Sequence, residues 1–183
     1  MKSSDPKRPF RVLSKRKGFR GELVQLDVLQ IKTASGRTYE RELIRHPGAA
    51  VIIPRTPDGR LILIRQLRVA VGNIIYEFPA GTLEKGESPA RCAYRELIEE
   101  TGWRAGRLRR VLEFYPTPGI STEKMFLFVA DRLKKAKYVE PDLDEELEVL
   151  SFKPSEVERL IRRGQIIDGK TLLGFLFYQK YLK

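Results

Sequence analysis

Apolar and polar residues first fall into a clear order in LVQLDVLQIKT (23–33), where they alternate with period two. That is the pattern of a half-buried strand, since successive side chains point to opposite faces. Ala34-Ser35-Gly36 supplies a turn into TYERELIRH (38–46), so residues 10–45 read as strands and 1–9 as a loose arm. A piece this small has no core of its own. It must pack on the rest of the chain or on a second copy.

His46-Pro47-Gly48 breaks the alternation. AAVIIP (49–54) and RLILIRQLR (60–68) then flank Thr56-Pro57-Asp58-Gly59, a hairpin turn in which Pro presets φ and Gly accepts a positive one. Tyr76-Glu77-Phe78-Pro79 reads as a short strand ended by proline, and EKMFLFVADRL (123–133) and LEVLSF (147–152) as further strands. Helical spacing takes over at 88–101. There Ser88 is a suitable N-cap, Pro89 occupies the tolerated first position, Gly102 follows as the stop, and Ala90, Ala93, Tyr94, Leu97 and Ile98 form the apolar face. Pro154–Arg163 reads as a short helix before Gly164, and Asp168 caps a last helix through Tyr181. Trp103, Phe114, Tyr115 and the closing FLFYQKYL are expected in the core, with Cys92 as a small buried helix residue and His46 as structural. The element order predicts an α/β protein, a mixed sheet sandwiched by helices and preceded by a small N-terminal antiparallel β segment.

Composition narrows the function. The 183 residues suffice for one domain with a small appendage. No apolar run approaches the ~18 residues needed to cross a bilayer, and the charged opening lacks the apolar stretch of a secretory leader. With Cys92 the only cysteine, no intrachain disulfide is available, and the expected compartment is the cytoplasm. One His and one Cys also exclude a zinc site of the usual ligands, leaving hard ions held by oxygen. Thirty-five Lys/Arg against 24 Asp/Glu give a net charge of +11, and eight of the cations lie in residues 1–20. Such a surface attracts anions. Nucleic acid is not the expected partner, because no aromatic-rich RNA-binding segment, Cys/His finger or helix-turn-helix accompanies the charge.

The candidate chemistry lies in GTLEKGESPARCAYRELIEETGW (81–103). Glu96 and Glu100 are four apart on the expected helix, about 40° around its axis, and Glu99 flanks the same stripe. Surface helices relieve such crowding with cations at i,i+4; here the nearest is Arg95, which is placed to reach back to Glu87. Crowded carboxylates with few cations suit Mg²⁺ or Mn²⁺. An acidic patch such as ELIEE also occurs on ordinary helices, so spacing alone leaves both readings open.

The whole pattern (Gly81, Glu87, Arg95-Glu96, Glu99-Glu100, Gly102, Trp103) resembles the Nudix box with every position filled. The flanks Arg41-Glu42-Leu43, His46-Pro47-Gly48-Ala49-Ala50, Arg65-Gln66-Leu67-Arg68, Glu77-Phe78-Pro79-Ala80-Gly81 and Tyr115-Pro116-Thr117-Pro118-Gly119 are similar to ADP-ribose pyrophosphatases, with Pro118 placed 16 residues after Gly102. The resemblance runs from about residue 19 to 182. It implies an α/β/α sandwich over 46–183 and a dimerising β segment with its basic arm over 1–45. It also implies Mg²⁺- or Mn²⁺-dependent hydrolysis of ADP-ribose to AMP and ribose 5-phosphate by a cytoplasmic homodimer. The alternatives are another nucleotide sugar, a dinucleotide or capped RNA as substrate, or a non-catalytic sensing or nucleic-acid-binding protein.

By the same resemblance, Ala80 would offer its carbonyl to a metal, Glu96 and Glu100 would be ligands with Glu99 in or near that shell, and Glu87 and Arg95 would be structural partners. Arg41, Arg65, Arg68, Glu77 and Pro118 would line the substrate. A further acid is expected from 140–148. Glu145 aligns with a metal-binding acid, while the family's usual general-base glutamate falls on Leu143. Asp142, Asp144, Glu145, Glu146 and Glu123 remain candidates for the base. Phe19, Tyr39 and Tyr76 are candidate partners for a flat base.

Overall fold

The structure, a computed structural model, describes residues 9–21, 24–136 and 147–182. It separates into two compact units. The smaller contains the chain up to His46 together with Thr117–Glu123, and the larger contains Pro47–Pro116 and Lys124–Lys183.

The smaller unit is built on an antiparallel sheet of β1 (Phe10–Arg20), β2 (Gln25–Thr33) and β3 (Thr38–Arg45), with β2 central. Val28, Leu29 and Ile31 of β2 are buried, and β1 is exposed along its whole length. Asp27, which the alternation places among the polar positions of β2, is fully buried. Its carboxylate meets Lys15 at 2.9 Å, Arg20 at 2.5 Å and Arg45 at 2.6 Å. These cations hold the Asp27 carboxyl well below its ordinary range against the opposing push of burial, the Arg45 hydrogen bond contributing most. The segment Thr117–Glu123 is stitched to the end of β3. Ile44 N–H donates to the Ile120 carbonyl at 2.8 Å, and His46 N–H donates to Thr122 Oγ1 at 2.9 Å.

The larger unit holds a mixed sheet in the order β7-β4-β10-β9. Its strands are β4 (Ala49–Pro54), β7 (Ala80–Thr82), β9 (Arg107–Phe114) and β10 (Met125–Asp131), with β4 and β10 parallel. A second sheet, β12-β5-β6, joins β5 (Leu61–Arg68), β6 (Asn73–Glu77) and β12 (Glu148–Phe152), while the short β8 (Trp103–Arg104) and β11 (Lys134–Lys135) pair with each other. Three helices complete it: α1 (Pro89–Thr101), α2 (Pro154–Arg162) and α3 (Gly169–Tyr181).

The unbroken apolar runs of β4 and β5 have a physical cause, because both faces of these strands are covered. Val51, Ile53, Leu61, Leu63, Leu127 and Val129 pack with Val157, Ile166, Phe175 and Tyr178 from the α2–α3 side. Their neighbours Ala50, Ile52, Ile62, Phe128 and Ala130 pack with Cys92, Ala93 and Leu97 of α1. Alternate residues of each strand thus feed opposite layers, which makes the expected α/β/α sandwich. Each fully buried Leu, Ile or Phe contributes about 1.5–3 kcal/mol relative to an exposed one.

Some expected features differ. Strand β9 has no apolar alternation to mark it in the sequence, because RLRRVLEF places Arg107, Arg109, Arg110 and Glu113 along an edge strand, where charge is the rule. Tyr115 is exposed rather than in the core. Of FLFYQKYL, only Phe175 and Tyr178 are buried, whereas Leu176 and Tyr181 face solvent, since one side of α3 has no layer above it. Ala90 and Tyr94 are exposed as well, and the buried stripe of α1 is Cys92, Ala93, Leu97, Glu100 and Thr101. Among the described residues no helix is long and apolar enough to cross a membrane.

Candidate active site

The loop entering α1 is fixed at both ends. β7 pairs with β4 so that Gly81 faces Ala50, Ile52 N–H donates to the Pro79 carbonyl at 2.8 Å, and Leu83 N–H donates to the Gly48 carbonyl at 3.0 Å. Ser88 then caps α1 by accepting from Arg91 N–H, and Gly102, at φ 67°, closes it with its N–H on the Ile98 carbonyl. A helix so bounded has no freedom to turn about its axis, so its side-chain positions follow from the core packing of Ala93 and Leu97.

That packing puts carboxylates on the inner side of the helix. Glu100 is only 9% exposed, and its Oε2 accepts from Ala80 N–H at 2.9 Å. The side chain of Glu96 is 12% exposed and lies against Gly81, where an added Cβ would sit 1.8 Å from its Oε1. Glycine at 81 is therefore a requirement of the Glu96 carboxylate, not of the backbone angle. Burying carboxylates is costly unless something offsets their charge.

The offset is Arg95. Its guanidinium donates to both Glu87 oxygens at 3.1 and 3.0 Å, to Glu96 Oε1 at 2.7 Å and to Glu99 Oε2 at 2.9 Å, and Glu84 stands at 3.9 Å. Glu87 keeps the guanidinium charged to well above its ordinary range, with Glu99 and Glu96 adding to this, and in return Arg95 holds the Glu87 carboxyl low. Four carboxylates thus share one guanidinium. Among the described residues no three His, Cys, Asp or Glu side chains are close enough to enclose an ion by themselves. The donor set still fits a hard divalent cation: carboxylate oxygens of Glu96, Glu99 and Glu100, with the Ala80 carbonyl on the strand that holds Glu100. Cys92, beneath them, has its thiol pushed up to about 12 by burial and by the negative charge of Glu96 and Glu87. It is a packing residue.

A second cluster surrounds Glu77, which is 1% exposed. Arg68 donates to its two oxygens at 2.9 and 2.6 Å, Lys170 at 2.7 Å and Gln66 at 3.3 Å. Burial pushes the Glu77 carboxyl up, but Arg68 and Lys170 outweigh it and hold the carboxyl below its ordinary value. Lys170 also meets Asp168 at 3.0 Å. Asp168 caps α3 through Thr171, whose hydroxyl accepts from Phe78 N–H at 2.8 Å. The start of α3 therefore secures the strand that leads into Ala80. Lys170, Asp168 and Thr171 line or brace a cleft of about 390 Å³ beside Tyr115 and Pro116. Sequence reasoning gave them no role beyond the Asp168 cap, because their partner Glu77 lies 93 residues away from Lys170 and neither spacing nor periodicity reports that distance.

The remaining candidates scatter. Arg65 pairs with Glu148 at 2.9 Å on the surface, 5.9 Å from the Tyr76 ring, and Tyr76 packs edge-on against Phe152. Arg41 stacks over Tyr39 at 4.1 Å; with Pro118, Phe19 and Glu123 it belongs to the smaller unit, where Glu123 stands 3.8 Å from His46. Asp142, Leu143, Asp144, Glu145 and Glu146 lie outside the described residues.

Comparison with known proteins follows the same lines. A family model described as the NUDIX domain matches residues 44–173. The ADP-ribose pyrophosphatase of Bacillus subtilis (strain 168) is 34% identical over 180 residues, covering 98% of this chain and 95% of that one. The methanol dehydrogenase activator of Bacillus methanolicus is 35% identical over 162 residues, 88% of each chain. A crystal structure described as an ADP compounds hydrolase superposes with a TM-score of 0.85 over 96% of this chain and 95% of that one at 23% identity, a likeness of fold.

Proposed function

The chain belongs to the Nudix family, and from that membership we propose that it cleaves ADP-ribose to AMP and ribose 5-phosphate, with Mg²⁺ or Mn²⁺ as the ion. It is a Nudix hydrolase, an enzyme of nucleoside diphosphates linked to another moiety, and the family works with divalent metal. The observation that carries the reading is the burial of Glu96 and Glu100 on the inner stripe of α1, one against Gly81 and the other on Ala80 N–H. An ordinary acidic patch faces solvent. This one is turned toward the sheet and held there.

The ions, when bound, would neutralise the phosphoryl oxygens and lower the pKa of an attacking water. Glu96, Glu99 and Glu100 would hold them, together with the Ala80 carbonyl. Arg95 keeps Glu96 and Glu99 from splaying apart, and its anchor on Glu87 ties the entering loop to the helix. Arg68, oriented by two hydrogen bonds to Glu77, would meet a phosphate oxygen through a charge-assisted hydrogen bond. Glu145 or Glu146 would take the proton from the water, the role in which a positioned base contributes about 10²–10⁴-fold.

The smaller unit fits a homodimer. Its edge strand β1 is exposed throughout and carries Phe10, Val12, Leu13 and Phe19, an apolar surface that a second copy would cover. A monomer in sedimentation at micromolar concentration overturns that assignment. A reducing cytoplasm suits the one buried thiol.

The test of the activity is product analysis. With ADP-ribose and Mg²⁺ the protein should release AMP, and Glu100→Gln should lower kcat at least about a hundredfold. Its circular dichroism should not change, because the Gln carbonyl still accepts from Ala80 N–H. No AMP from the wild type with either ion, or full turnover by the variant, overturns the proposal.

A further inference from the structure

Strand β4 runs from the Nudix loop at Ala50 to a different cleft at Arg55, five residues and roughly 16 Å further along at ~3.3 Å per residue. The cleft is an open hollow of about 660 Å³, within the range of small-molecule sites. Arg55, Arg107, Arg132 and Lys134 line it, and its one acid, Asp131, is consumed by Arg55 at 2.7 Å. Among the described residues no carboxylate pairs with Arg107, Arg132 or Lys134. Three cations left without acids around one cavity repel one another, and an anion would relieve them.

The backbone supports the same conclusion. Arg132 is the one non-glycine residue with a positive φ, 54°, among the described residues, a conformation that costs energy for any side chain with a Cβ. It persists because Gly106 holds it, its N–H donating to the Asp131 carbonyl at 3.1 Å and to the Arg132 carbonyl at 3.2 Å. Gly106 is itself tightly fitted, since a Cβ there would stand 3.0 Å from both the Cβ and the carbonyl oxygen of Arg132. A strained turn that is over-determined by its neighbours and opens on a cationic cleft has the character of a built feature. Guanidinium groups from the strand residue Arg107 and the turn residue Arg132, lining one cleft with the ammonium of Lys134, suit several phosphate oxygens at once.

We propose that this cleft is a second anion site, separate from the Nudix carboxylates, that binds a small molecule carrying a diphosphate or polyphosphate group. The proposal does not depend on the hydrolytic reading. Calorimetric titration of the full chain with inorganic pyrophosphate, in EDTA and low salt, should show binding. The double substitution Arg107→Ala/Lys134→Ala should weaken it at least about tenfold, since charge-assisted hydrogen bonds are each worth more than a kcal/mol or so, while hydrolysis of ADP-ribose with Mg²⁺ stays within about twofold. Glu100→Gln should leave pyrophosphate binding unchanged. Arg16→Ala/Lys17→Ala removes two exposed cations elsewhere and should also leave it unchanged. Absence of binding at millimolar pyrophosphate, wild-type affinity in the cleft variant, loss of affinity in Glu100→Gln, or an equal loss in the Arg16/Lys17 control would each overturn the proposal.

Discussion

Two carboxylate clusters, one in each unit, are built in opposite ways. In the smaller, one carboxylate, Asp27, is enclosed by Lys15, Arg20 and Arg45. In the larger, Glu84, Glu87, Glu96 and Glu99 crowd around the single guanidinium of Arg95, with Glu100 on the same helix face bonded to a backbone amide. The first arrangement is complete and leaves an excess of positive charge on the surface. In the second, four carboxylates meet at one guanidinium. A carboxylate ringed by cations is held by the fold itself, whereas carboxylates crowded on one guanidinium suit a hard divalent cation. The ratio of acids to bases, more than the presence of buried acids, separates scaffold from chemistry here.

Gly81→Ala should have the largest effect. The new Cβ would fall 1.8 Å from Glu96 Oε1, and the atom in its way is the end of a flexible side chain, so the carboxylate moves and the backbone stays. Turnover of ADP-ribose should fall about a hundredfold or more, as for loss of a positioned carboxylate. The thermal midpoint should shift little. If instead stability collapses and residual folded enzyme works normally, the Glu96 position is structural and the crowding of acids on Arg95 carries no chemistry.

Asp27→Asn tests the other side and should have a smaller effect. Three cations would then face a neutral amide, so β2 amides should exchange at least about tenfold faster, and the proposed homodimer should dissociate more readily on sedimentation. Hydrolysis by the larger unit should survive at high protein concentration. The acid behaviour follows with a definite sign. The Asp27 carboxyl is depressed in the folded protein, so its contribution is complete above the ordinary value of 3.8 and drains away as pH falls below it toward the folded value. The wild-type smaller unit should therefore lose protection below pH 3.8, and the Asn variant should lack that slope. A variant as stable as the wild type at neutral pH would show that the enclosure is ornamental.

The same contrast explains what was legible in the chain. The Nudix helix could be read because its cap, stop and acids sit within 23 residues, and local spacing fixes which carboxylates share a face. Its direction could not. Of the apolar set Ala90, Ala93, Tyr94, Leu97 and Ile98, Ala90 and Tyr94 lie outside, because the buried stripe runs through Cys92, Ala93, Leu97, Glu100 and Thr101. Asp27 was hidden for the converse reason. In LVQLDVLQ it looks like any outward polar residue, and only the register that sets Lys17 opposite it on β1 and Leu43 on β3, with Arg45 two residues on, shows that cations close over it. Glu77 was found from its neighbours in sequence, but its strongest buried partner, Lys170, comes from the last helix. What pairing across the whole chain decides, a linear pattern does not carry.

The smallest expected effect concerns Cys92, which lies under the acidic cluster and would be disturbed by it if the cluster were mobile. Its thiol donates to the Gly81 carbonyl at 3.4 Å, and burial together with Glu96 and Glu87 pushes it up to about 12. At pH 8 almost none of it is thiolate, and the thiolate is the reactive form. Native protein should therefore resist iodoacetamide for hours, while protein in guanidinium should be alkylated at once, a difference read directly by mass. Rapid labelling of the native protein at this pH would mean that the floor of the site opens to water. Glu96 and Glu100 would then be ordinary surface acids, and the contrast with Asp27 would reduce to a difference in exposure.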